Sequence, residues 1–281
     1  MALVKRHQLL VYFVLVYALS ALALIVVGVP SLHGGSRPPL ASLLMFPVMV
    51  VGVGLVGLGL TAIVSGRPGM RELRGRLGRW RVPLRWYALL LLPPLAILAV
   101  LGLLHVLVSP AFAPNLLLFG IPAGLLAGFT EEIGWSGFAY PRMSAHWGAR
   151  TGACLLGLLW GLWHLPIVDS LGAASPHGAW WPAFFAAFIL LVSGLRVLIA
   201  WVYTNTGSVL LPQLLHASST GFLVMLGAAS ISPAQEAVWY ALYAAVLWGA
   251  GVAAMAHWKA WNLHNDAHAI AEARASDYAM T

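Results

Sequence analysis

Long apolar runs are the feature that most constrains how this chain can fold. A helix needs about 20 mostly apolar residues to cross the hydrocarbon core of a bilayer. Runs of this kind cover approximately residues 8–29, 40–64, 87–108, 115–138, 151–168, 180–203, 207–228 and 236–257 of the 281 residues. Only 8% of the residues are charged, whereas soluble domains carry about 25%. The sequence therefore excludes a soluble domain and predicts an integral membrane protein.

The predicted fold class is an all-α, polytopic membrane helix bundle with about eight transmembrane helices. Lys5 and Arg6 precede the first run, which is longer than the apolar region of a signal peptide, so we expect a retained anchor. We expect a single transmembrane domain over residues 1–261, with its motif-bearing core at about 115–228. Residues 262–281 are expected to form a flexible cytoplasmic tail.

The positive charges predict the orientation of the chain in the membrane. The formal net charge is +7. Seven arginines lie between the second and third runs: Arg67, Arg71, Arg74, Arg76, Arg79, Arg81 and Arg85. Positive loops stay on the cytoplasmic side, which predicts an N-in, C-in arrangement. Anionic lipid explains this cluster better than nucleic acid does. Its segment Met70–Tyr87 is either a basic amphipathic element along the inner interface or a simple stop-transfer loop.

Two adjacent carboxylates end an apolar run, where charge is costly. Insertion scales give about 2.5–3.5 kcal/mol for a comparable ion at the bilayer centre, so Glu131 and Glu132 need a partner or access to water. Neighbours on a helix point about 100° apart. We therefore expect one carboxylate to face a cavity and the other to bond to a neighbouring helix. The alternative is that both are solvated at the inner interface.

Two histidines also lie in apolar runs beside polar or aromatic companions. Trp160 precedes His164 by four residues, and Thr220 follows His216 by four, so each pair shares a helix face. Two imidazoles and one or two carboxylates on separate spans suit either a zinc ion or acid–base work on a bound water. Residue spacing alone leaves both open.

These motifs resemble the CPBP family of intramembrane endopeptidases, which includes the type II CAAX prenyl proteases and bacteriocin-processing and immunity proteins. The family's Glu-Glu-x-x-x-Arg motif reads Glu131 to Ser136 here. Its second motif, an aromatic residue followed four positions later by histidine, matches Trp160 and His164. Its third, His-x-x-x-Asn, matches His216 and Thr220. The resemblance covers about residues 67–227.

The resemblance implies a set of catalytic roles. Glu131 would be the general base for the attacking water, and Glu132 would orient nearby groups. His164 and His216 would hold the water and stabilise the oxyanion. If a metal such as zinc is used, Glu131, His164 and His216 would be its ligands; a metal-free glutamate mechanism also stays open.

Two departures from the family motifs bear on activity. Ser136 stands where the motif has arginine, and Thr220 stands where it has asparagine. Arg142 is one candidate for the missing cation, although a contact with Glu131 would require a break in the helix. Arg196, deep in the sixth run, is another; its alternatives are snorkelling or pairing with backbone carbonyls.

The leading functional hypothesis is therefore a CAAX-type intramembrane protease, multi-pass in a bacterial plasma membrane. We expect its partners to be membrane lipids and a membrane-embedded or lipidated peptide, with no nucleic acid. The departures keep open a non-catalytic immunity or scaffolding protein on the same fold. A third hypothesis is a metal or proton transporter, because buried Glu and His also mark ion pathways.

Overall fold

The chain forms a bundle of helices. The computed structural model describes residues 2–32, 39–165, 177–228 and 231–258, and all regular secondary structure within them is helical. Four helical stretches in this part of the chain are long and apolar enough to cross a bilayer, and two shorter apolar helical stretches cover Gln8–Leu22 and Leu210–Leu226. The predicted all-α, polytopic membrane bundle is confirmed. The count of eight spans, the N-in orientation and the domain bounds stay predictions, and the tail, 262–281, lies outside the described residues.

The main helices follow the predicted runs closely. They are α1 (Gln8–Leu32), α2 (Pro39–Leu77), α3 (Leu92–Leu107), α4 (Gly120–Gly134), α5 (Tyr140–Trp147), α6 (Ala149–Trp163), α7 (Trp181–Thr206), α8 (Leu210–Leu226) and α9 (Pro233–Ala256). A π-helical turn, Trp135–Ala139, joins α4 to α5. Short helical turns occupy Ala2–Arg6, Arg85–Ala88, Leu89–Leu91, Pro110–Phe112 and Gly178–Trp180.

Helix α2 is longer than the run that predicts it. It continues to Leu77 instead of ending near residue 64, across a non-helical Gly66 with φ 59° and ψ −153°. Glycine adopts a positive φ without steric cost, and Pro68 suits the first turn of the helix that resumes. The interfacial element expected over Met70–Tyr87 is thus helical only in part, because residues 78–84 form turns and coil.

Two other predicted ends are shifted. Helix α4 begins at Gly120 instead of 115, because the backbone N–H of Leu117 donates to the carbonyl of Met225 (2.9 Å) instead of entering a helix. Helix α6 ends at Trp163, and His164 is its C-cap residue. The predicted residues 166–168 of this span lie outside the described residues.

Glycines allow α4 and α8 to approach closely, which brings the motif-bearing helices together. Gly120, Gly124 and Gly128 share one face of α4 and contact the backbone of α8. A methyl group added at Gly124 would lie 2.5 Å from the carbonyl oxygen of Ala217. Small residues at i and i+4 are typical of helix pairs in lipid. The carboxylates at the end of α4 therefore lie beside His216 of α8.

Gly124→Ala is expected to destabilise the bundle, because the added methyl meets backbone that cannot rotate away. Overpacking of this kind costs typically about 1–3 kcal/mol, so the midpoint of thermal unfolding in detergent should fall. Gly102→Ala is the matched control, since nothing lies within 4 Å of its added Cβ. Equal midpoints for the two variants would contradict close α4–α8 packing.

Candidate active site

The adjacent carboxylates lie on the last turn of α4, directly before the π-helical turn. Glu131 is 2% exposed and Glu132 is completely buried. The alternative that both are solvated at the interface is therefore wrong. The two side chains reach one turn ahead to different partners, Trp135 and Ser136. Insertions of this π type occur often at functional sites, and this one supplies both partners, Trp135 and Ser136.

Glu132 is held by a cation from another helix. The guanidinium of Arg196 in α7 donates from Nη2 to Oε1 (2.7 Å) and from Nη1 to Oε2 (2.9 Å). His216 Nδ1 lies 2.9 Å from Oε1, and the Ser136 hydroxyl donates to Oε2. A buried charge pair is tolerated when further hydrogen bonds satisfy it. Both carboxylate oxygens of Glu132 are therefore occupied by structural hydrogen bonds. Glu131 is the carboxylate that remains as a candidate for proton transfer.

Glu131 is held on one side only. Its Oε2 accepts the indole N–H groups of Trp135 (2.9 Å) and Trp160 (3.0 Å). No described residue donates a hydrogen bond to its other oxygen, Oε1. A carboxylate fixed through one oxygen is oriented but retains an acceptor for a reacting group.

Trp160 connects all parts of the site. Its indole ring lies under the Arg196 guanidinium, 4.2 Å from ring centroid to Cζ. Its ring centroid is 4.8 Å from that of His216 and 5.6 Å from that of His164. Together with its hydrogen bond to Glu131, these contacts make Trp160 the common neighbour of both carboxylate networks.

The hydrogen bonds of the histidines define which nitrogen remains available. His164 Nδ1 lies 2.8 Å from the carbonyl oxygen of Trp160, and His216 Nδ1 faces the Glu132 carboxylate. Both partners are acceptors, so Nδ1 must carry the proton in each ring. Each Nε2 is then an acceptor in the neutral ring and a donor in the imidazolium. The two rings can thus assist proton transfer or stabilise negative charge.

Two predicted supporting residues do not join the pair. Arg142 is held elsewhere, by the Gln8 side chain (2.7 Å), the Phe138 carbonyl (2.9 Å) and the Ser65 hydroxyl (3.2 Å). It does not replace the missing motif arginine, because it faces α1 and α2. Thr220 is half-buried and makes no side-chain hydrogen bond to a described residue.

Trp135 is the residue that sequence reasoning missed. It follows Glu131 by four residues, which places both on one face of a helix. A buried indole needs an acceptor for its N–H, and the carboxylate one turn earlier is the obvious candidate. That signal was available in the sequence but does not distinguish Trp135 from the other tryptophans of the chain.

The site does not match a three-ligand metal centre. Catalytic zinc sites use three protein ligands and an open position. Among the described residues no group of three or more His, Cys, Asp or Glu side chains could hold a metal ion. The predicted set of Glu131, His164 and His216 is thus not assembled as a ligand group, and zinc dependence stays a prediction.

The fold and the site together define a polytopic membrane protein with an acid–base cluster in its core. Its motif-bearing segment matches a family model, Type II CAAX prenyl endopeptidase Rce1-like, over residues 113–222. The chain is also 28% identical over 112 residues to CAAX prenyl protease 2 of Methanococcus maripaludis. These matches confirm the resemblance read from the motifs, over the segment of the chain that carries them.

The similarity to the Methanococcus maripaludis protein has a limited extent. The aligned segment covers 38% of this chain and about two fifths of that protein's length, 39%. The motif residues from Glu131 to Thr220 all fall within the segment matched by the family model. Helices α1, α2, α3 and α9 lie outside that segment, and so do the seven arginines.

Proposed function

We propose that this chain is an intramembrane endopeptidase that cleaves a membrane-embedded or lipidated peptide through a water activated by Glu131. The observation that carries the proposal is the asymmetric setting of Glu131. Two indole N–H groups fix one carboxylate oxygen, and the other has no donor among the described residues. A base in a fixed orientation with one open acceptor suits proton removal from a positioned water.

The proposed reaction uses the two carboxylates differently. Glu131 Oε1 takes a proton from water as the water oxygen bonds to the scissile carbonyl carbon. The oxyanion that forms accepts a hydrogen bond from an imidazolium Nε2–H of His164 or His216. The proton held by Glu131 then passes to the amide nitrogen as the C–N bond breaks. Glu132 stays ionised, because Arg196 neutralises it, and it orients His216.

The comparisons support the substrate class. The family model and the curated relative are both named for CAAX prenyl substrates. We further propose that the scissile peptide bond enters the bundle beside α4, α6 and α8, the helices that carry Glu131, His164 and His216. A multi-pass location in a bacterial plasma membrane belongs to the same proposal.

The test is a cleavage assay with the full chain purified in detergent, without added metal or chelator. The reporters are a prenylated CAAX-type peptide and an unlipidated transmembrane peptide. We expect product from at least one reporter, and a loss of about 10²–10³-fold in His164→Ala, the size of an oxyanion-donor effect. His257→Ala is the matched control: its Nδ1 also bonds to a carbonyl four residues earlier, that of Ala253 (2.9 Å), but at the end of α9.

Metal content measured on the same samples distinguishes the mechanisms. Cleavage without bound metal supports the glutamate-activated water. One zinc per chain, lost together with cleavage in His164→Ala, would instead identify a metalloprotease. No cleavage of either reporter by the wild type would favour the non-catalytic immunity or scaffolding hypothesis.

A further inference from the structure

The basic segment between α2 and α3 carries a large positive charge that the site does not use. We name residues 67–85 the arginine segment. Its only carboxylate, Glu72, lies 3.4 Å from Arg76. The other arginines are exposed: Arg67, Arg71, Arg74, Arg79, Arg81 and Arg85. Six exposed cations without a matching anion in the segment produce a positive potential that attracts anions from outside it.

The arginine segment is placed at the border of the membrane. It begins at the Gly66 kink, within the candidate span Phe46–Leu77, and ends where the span Arg85–Leu107 begins. Trp80 is 59% exposed and Leu84 is 81% exposed. Arg81 lies over the Trp80 ring, 5.0 Å from the centroid. Tryptophan beside arginine at a helix end is typical of the headgroup layer.

The same segment contacts the turn between the two helices that carry Arg196 and His216. Arg76 donates to the Tyr203 hydroxyl (2.5 Å), and the Val209 N–H donates to the Arg76 carbonyl (2.9 Å). The Ser208 hydroxyl donates to the Arg79 carbonyl (2.7 Å). If the arginine segment moves or becomes more ordered, these hydrogen bonds would therefore transmit the change to the α7–α8 turn.

We propose that the arginine segment binds the headgroups of anionic phospholipids, and that bound lipid stabilises the α7–α8 turn. Guanidinium groups bind phosphate oxygens in bidentate geometry. The cytoplasmic leaflet is anionic and attracts basic segments next to a membrane span. The exposed Trp80 and Leu84 supply the apolar contact that a bilayer, rather than a soluble polyanion, would satisfy.

The test measures lipid retention and thermal unfolding of the full chain in neutral detergent, with phosphatidylglycerol or phosphatidylcholine added. We expect the wild type to retain phosphatidylglycerol preferentially and to unfold at a higher temperature with it. The triple variant Arg71→Gln/Arg74→Gln/Arg81→Gln should lose that preference, because its affinity for phosphatidylglycerol should fall roughly fivefold for each arginine removed. The matched control Lys5→Gln/Arg6→Gln/Arg150→Gln removes three exposed cations elsewhere and should retain it.

Neither readout requires cleavage, so the result is independent of the proposed protease activity. Equal retention of the two lipids by the wild type, or an equal loss in both triple variants, would overturn the proposal. A phosphatidylglycerol preference seen only after removal of residues 262–281 would also overturn it, because the acidic residues of that tail would then be the occupant. Tighter binding of a short RNA than of phosphatidylglycerol would reassign the surface to nucleic acid.

Discussion

Replacing Glu131 with glutamine is expected to lower the rate of peptide cleavage by about 10²–10⁴-fold, the range of a lost general base. The fold should survive, because the amide oxygen of glutamine can accept the same two indole N–H groups, from Trp135 and Trp160. Glu131→Ala is a poorer test, since it would leave both buried donors unpaired at about 1–3 kcal/mol each. The measurement is kcat for reporter cleavage, alongside thermal unfolding.

Glu236→Gln is the matched control for this experiment. Glu236 is also a buried carboxylate, 4% exposed, and it lies 3.0 Å from His177 Nε2 at the start of α9. Its change should leave kcat within about twofold, since Glu236 has no place in proton transfer at the site. Unchanged cleavage in Glu131→Gln would refute the water-activation mechanism, whatever the control shows.

The helical architecture could be predicted because apolar length is a local property of the sequence. Eight apolar runs correspond to helices of the structure with shifts mainly at their ends. Those shifts come from contacts outside the run or from single residues: Leu117 bonds to α8 instead of extending α4, and Gly66 kinks α2 without ending it. Such features depend on neighbours in space, which the apolar pattern of one run does not contain.

The candidate site could be predicted in part. The motifs identify Glu131, Glu132, His164 and His216, and helix periodicity correctly separates the directions of the two carboxylates. Periodicity within one helix does not tell which face meets another helix, so the cation beside the two carboxylates stayed open between Arg142 and Arg196. The structure resolves this through packing.

Close packing of α6 and α7 determines the position of the arginine. A methyl group added at Gly157 would lie 2.8 Å from Cα of Ser193, so the two backbones nearly touch. Long helical side chains point back toward the helix N-terminus, which brings the Arg196 guanidinium over Trp160 and onto Glu132. The cation that the family motif places at position 136 is thus supplied here by α7, and Ser136 fills the motif position as a hydrogen-bond donor.

An exchange of Ser136 and Arg196 tests this relocation of charge. Arg196→Ser alone should be strongly destabilising, by about 3–5 kcal/mol, because it leaves Glu132 buried without its cation. Ser136→Arg alone adds a second buried cation next to the first and should also reduce stability and cleavage. The double variant restores one arginine within a helical turn of Glu132, so it should recover part of both. The measurements are unfolding midpoint and kcat for all four proteins.

If the two changes acted independently, their effects on the free energy of unfolding would add. We expect the double variant to be more stable than that sum by a coupling energy of about 0.5–3 kcal/mol, as found for residues in direct contact. Arg142→Ser is the matched control. It removes another arginine with several hydrogen bonds, but one that bonds to Gln8 and Ser65 instead of the carboxylates, so it should retain kcat. A double variant that is as damaged as the sum of its single changes would show that Arg196 does more than neutralise Glu132. Its stacking on Trp160 would then be the interaction that an arginine at position 136 cannot reproduce.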